Sequence, residues 1–137
     1  RKAVVASVVA VEKKSSGEIR IHLENECSSD PRERALRTFH ILKMSETASR
    51  SGVLIYIATA SRKLAVIGDK GINTCVPTDF WRSICDNLIH DFSEGKNAEG
   101  LIRAVTEIGD MLSLHFPYMP DDVNELSDDI SYGDEEG

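Results

Sequence analysis

Two apolar runs, residues 53–58 and 64–67, dominate the middle of the chain and are joined by the polar Thr59-Ala60-Ser61-Arg62-Lys63. The first is apolar throughout and rich in branched and aromatic side chains, as a strand covered on both faces should be. A polar link of this length predicts a hairpin, although no glycine marks the turn. The second run ends in Gly68-Asp69-Lys70-Gly71, read as a loop whose two glycines free the backbone. Upstream, Glu18-Ile19-Arg20-Ile21-His22-Leu23-Glu24 alternates strictly between polar and apolar residues. That alternation predicts a strand with one buried and one wetter face, beside the central pair and towards an edge.

Helical spacing accounts for most of the rest. Val4, Val5, Val8 and Val9 predict a first helix that stops at Ser15-Ser16-Gly17. Asp30 as cap and Pro31 in the first turn open a second. Its apolar stripe is Ala35, Leu36, Phe39 and Leu42, its basic outer face Arg32, Arg34, Arg37 and Lys43, and its end Met44-Ser45. Pro77-Thr78-Asp79 starts a third helix, with Phe80, Trp81, Ile84, Leu88 and Phe92 on one face and Gly95 closing it. A fourth begins at Asn97, turns Leu101, Val105, Ile108, Leu112 and Phe116 inward, and stops at Pro117. A strand, a crossover helix and a strand of this length predict a right-handed parallel pair. The expected fold class is α/β: a three-layer α/β/α sandwich with a small mixed sheet. One domain is expected over residues 1–118, followed by a structure-poor acidic extension over 119–137, packed in part.

Charge sharpens that division. The net charge is −7, yet residues 121–137 hold eight acids and no base, which leaves the first 120 residues at +1. Without a basic face the chain gives no support for nucleic-acid binding. No window approaches 18 uninterrupted apolar residues, so no membrane-spanning helix is expected. A soluble, cytoplasmic protein is the expectation unless an export signal lies upstream of residue 1. Cys27, Cys75 and Cys85 form no C-x-x-C pair and read as free thiols. His22, His40, His90 and His115 lack metal-ligand spacing and read as structural or surface residues, while Trp81 reads as core.

Topology brings the polar loops together. With the first two strands parallel and the third running back, residues 15–18, 50–52 and 68–71 converge on one rim, and the helix start at Asp79 lies close behind. Asp30 and the 59–63 turn belong to the opposite rim. Glu18 and Asp69, with Asp122 and Glu125 from the tail, make an oxygen-rich candidate site for a hard cation such as calcium, which takes six to eight oxygens. Against that stand blander readings: Asp69 as a loop residue, Glu18 as a solvent-facing strand residue and the tail as a solvating extension. Arg50 and Lys70 in the same region suit an anion such as phosphate. Familiar fingerprints fail: G-x-G-x-x-G, the P-loop and G-x-S-x-G are all missing. The segment from Asp122 has Leu126 at the fifth position and no glycine at the sixth, so it is not an EF-hand.

Ser16-Gly17-Glu18-Ile19-Arg20, Ser51-Gly52-Val53-Leu54-Ile55, Ser61-Arg62-Lys63 and Ile67-Gly68-Asp69-Lys70-Gly71-Ile72-Asn73 together resemble the TPM domain. Phe116-Pro117-Tyr118, Asp122-Val123-Asn124-Glu125-Leu126 and Asp129-Ile130-Ser131 are similar to its stand-alone bacterial members. The resemblance implies a Rossmann-like sandwich without a nucleotide motif, and calcium or another divalent cation as ligand. It also implies a range of roles, from acid phosphatase activity to membrane-complex repair and receptor modulation. The expectation is a calcium-binding interaction or regulatory module, with a protein as possible partner. The alternative is a metal-assisted acid phosphatase acting on phosphomonoesters, with Asp69, Lys70 and Arg50 as catalytic candidates. A membrane role is not carried over, because no anchor is read in these residues.

Overall fold

A computed structural model describes residues 2–118 and 130–133. Helix α1 (Lys2–Lys14) leads into β1 (Glu18–Glu24), α2 (Pro31–Ile41) and a 3-10 turn (Met44–Glu46). Strands β2 (Gly52–Ala58) and β3 (Lys63–Gly68) follow, then the short α3 (Lys70–Asn73), α4 (Phe80–Ser93), α5 (Asn97–His115) and β4 (Ser131–Gly133). The sheet has the order β3-β2-β1-β4, with β1 parallel to both β2 and β4, and β2 antiparallel to β3.

Alternation divides the sheet into two faces. Ile19, Ile21, Val53, Ile55, Ile57 and Val66 pack with the buried stripes of α1, α4 and α5, among them Val8, Ile84, Leu88, Val105, Ile108 and Leu112. Leu54, Tyr56, Ala58, Ala65 and Ile67 face the other way, against Ala35 and Phe39 of α2 and Met44 of the 3-10 turn. The result is the expected mixed sheet between helical layers.

Several local expectations change. β1 is an inner strand, because β4 pairs its outer side through His22–Ser131 and Glu24–Gly133. Three of its four polar residues are not wet: Glu18, His22 and Glu24 are buried, and Arg20 is half-buried. β4 rises from sequence read as acidic extension, where no apolar alternation announces a strand. On α2 the buried side is Ala35, Thr38 and Phe39, whereas Leu36 is 46% exposed, so that stripe is narrower than the spacing suggested. The hairpin between β2 and β3 turns without glycine because Arg62 takes the left-handed position, φ 54°. Gly95, φ 74°, ends α4 as expected. The 68–71 segment is not an open loop: Asp69 caps α3, its carboxylate accepting from the Lys70 backbone N–H at 2.8 Å.

Candidate functional site

The predicted rim forms around Gly52. Register pairs Glu18 of β1 with Gly52 of β2, and the Asp69 backbone N–H donates to the Gly52 carbonyl at 2.9 Å. Glu18, Gly52 and Asp69 therefore lie in one row across the ends of three strands. A side chain at Gly52 has no room, since its Cβ would stand 2.7 Å from the Met44 carbonyl oxygen. Gly71 is equally constrained: its N–H donates to the Arg50 carbonyl at 2.9 Å, and a Cβ there would lie 2.6 Å from that same oxygen. These glycines serve close backbone approach.

Arg50 is the most constrained residue of the rim. Its φ of 51° is left-handed, a conformation that costs a non-glycine residue about 1 kcal/mol or more and must be held by its surroundings. Its guanidinium grips Asp69 in a fork, Nε to Oδ2 at 2.6 Å and a terminal nitrogen to Oδ1 at 2.8 Å. The hydrogen bond to Asp69 raises the Arg50 pKa further above its usual range. Both Asp69 oxygens thus already accept hydrogen bonds, and the residue is 7% exposed. Lys70 is exposed beside it.

Hard-cation chemistry asks for several oxygens. The described part of the rim supplies the Glu18 and Asp69 carboxylates and, over Gly52, the Met44 carbonyl. Among the described residues no three His, Cys, Asp or Glu side chains form a metal-holding group. Asp122 and Glu125 lie outside the described residues. Asp69 fits a cation only by exchanging its fork with Arg50. The Arg50 side chain is 38% exposed and has water to move into. A cation at this rim would have to displace Arg50 from Asp69 and draw most of its oxygens from elsewhere. Asp79 is exposed and makes no side-chain cap.

A second polar cluster, which sequence reasoning missed, occupies the far end of the same face. Glu24, with its side chain 1% exposed, accepts from Arg34 Nε at 3.0 Å, from a terminal nitrogen of the same guanidinium and from the Tyr56 hydroxyl. His22 stacks on Tyr56 with ring centroids 6.0 Å apart, and its Nε2 lies 3.5 Å from Glu24. Its Nδ1 bonds Ser131 Oγ at 2.7 Å, fastening β4. Burial alone would raise the Glu24 pKa, but hydrogen bonds from Arg34 and Tyr56 outweigh it and hold the carboxyl below its ordinary value. Burial pushes the Tyr56 hydroxyl up, and the bond to Glu24 adds to that. For His22, burial outweighs the attraction of Glu24, so the imidazole is lowered from 6.5. The cluster joins α2, β1, β2 and β4 through one carboxylate. Arg34 belongs to it and not to a solvated basic face. The available signal was Tyr56, the one hydroxyl in an otherwise apolar buried strand, which needs a partner on a neighbour.

No curated protein matches the chain. Among solved structures it is similar to the BA42 protein of the psychrophilic bacterium Bizionia argentinensis, known from an NMR structure. The two share 40% identity and superpose with a TM-score of 0.87, over 96% of this chain and 91% of that one. Residues 1–111 match the TPM domain, and the chain belongs to the TPM domain family.

Proposed function

We propose that this TPM domain is a binding and regulatory module that takes a divalent cation, calcium foremost, at the Glu18–Gly52–Asp69 rim. The observation that carries the reading is the row itself: two buried carboxylates flank a glycine at the ends of three strands, and Arg50 stands on one of them as a displaceable counter-charge. Asp122 and Glu125 are the further ligands in this reading, drawn from a stretch, residues 121–137, that holds eight acids and no base. Cation binding exchanges a protein cation for a metal ion, so its consequence is release of Arg50 and a new surface for a protein partner.

Thermal melts of chelator-treated protein test this. Millimolar calcium should raise Tm by mass action. Asp69→Asn should abolish the rise, and Arg50→Ala should bring it on at lower calcium. An unchanged Tm in all three proteins would sink the reading. The phosphatase alternative draws on the same Arg50, Asp69 and Lys70, with the cation polarising a phosphoryl oxygen. The fork on Asp69 favours binding over catalysis, because a carboxylate already holding a guanidinium and a backbone N–H is a poor nucleophile or base. Turnover of a generic phosphomonoester, lost in Asp69→Asn, would reverse that preference.

A further inference from the structure

The opposite rim carries a cavity that the cation-binding reading does not use. It measures about 560 Å³ and lies at the C-terminal ends of the parallel strands β1 and β2, beneath the end of α4 and the start of α5. That volume is within the range of about 300–1,000 Å³ usual for small-molecule clefts. Ligands of open α/β sheets also collect at the carboxyl ends of the strands. The walls are Leu23, Ile57, Leu64, Phe92 and Leu101. Ile57 is buried, whereas the other four are only partly covered, so the apolar core stays open on this side. At the mouth stands Arg62, and no lining residue is acidic, in a chain whose net charge is −7. Arg62 sits exposed on the hairpin turn and makes no ion pair among the described residues. Lys63 contributes no free charge here: it pairs with Ala58 on the α2 face, where its ammonium donates to the Cys27 and Ser29 carbonyls at 3.0 and 3.1 Å.

We infer that this groove binds a medium-chain fatty acid, its alkyl chain along the apolar walls and its carboxylate at Arg62. Apolar walls with a cationic mouth suit an amphiphilic anion, with Thr59, Ser93 and Asn97 as further polar lining.

The test is a titration of chelator-treated protein, followed by calorimetry and amide NMR, with octanoate, decanoate and decanol below their aggregation limits. Decanoate should give saturable shifts at Leu23, Thr59, Leu64 and Leu101, and should bind about tenfold tighter than octanoate for two added methylenes. Decanol should bind more weakly than decanoate. Arg62→Glu, an exposed turn substitution, should weaken decanoate about fivefold while leaving decanol unchanged. Absence of saturable binding overturns the inference. So does decanol equal to decanoate, indifference to Arg62→Glu, or concentration-dependent dimerisation that shifts the same amides. The chelator keeps this result separate from the fate of the calcium reading.

Discussion

The sheet carries an arginine–carboxylate fork at each end of one face, and the two differ in how far water reaches the arginine. Glu24–Arg34 is sealed, with side chains 1% and 12% exposed, and the carboxylate is tied to Tyr56 and His22 as well. Asp69–Arg50 pairs a buried carboxylate with an arginine 38% exposed and held in a left-handed conformation. A sealed pair without water to replace a lost partner becomes obligatory once formed. A half-open pair can exchange its cation with little change to the core. In the proposed reading, the solvent available to the arginine is what separates a pair that serves architecture from one that serves exchange.

Glu24→Ala should break the contrast most severely. It strands Arg34, the Tyr56 hydroxyl and His22 in a buried site, at a cost of about 3–5 kcal/mol in denaturant melts. Replacing the pair together, Glu24→Leu with Arg34→Met, should recover a large part of that loss. A single substitution costing no more than an exposed residue would show that the cluster is not a structural centre. Next in size is Gly71→Ala, which forces a Cβ against the Ser49 and Arg50 carbonyls and should cost about 1–3 kcal/mol. Since α3 and Arg50 move with that backbone, the same variant should also lose the calcium response. A smaller effect is expected from pH. His22 is lowered from 6.5, so the unfolded chain binds its proton first; its contribution is intact above 6.5 and drains away as pH falls below it. Glu24, lowered from 4.5, adds a second loss below that value. Urea melts should therefore show stability declining from pH 6.5 downward, with His22→Gln removing the first stage. The smallest change in stability should come from Arg50→Ala, whose guanidinium is open to water.

The apolar architecture was legible because periodicity reports it directly. Alternating Ile19, Ile21 and Leu23, the unbroken run of β2 and the i, i+4 stripes of α4 and α5 each name an element and its inner face. Topology then brought residues 15–18, 50–52 and 68–71 to one rim without side-chain detail. Polar partnerships were harder to see. Glu24, Arg34 and Tyr56 lie far apart in sequence, and Glu24 and His22 look solvent-facing until β4 is known to cover β1. β4 itself is three residues, Ser131-Tyr132-Gly133, too short for periodicity to register. Nor could sequence show that Arg50 already holds Asp69, because that depends on a backbone conformation arginine seldom adopts.

The most direct test is an amide NMR titration of the chelator-treated protein with calcium, run in parallel on wild type and Arg50→Ala. Saturable shifts are expected at Glu18, Gly52, Asp69 and Lys70, reached at lower calcium once Arg50 is gone. Shifts confined to residues 121–137, or a rim that stays silent in both proteins, would contradict the calcium reading.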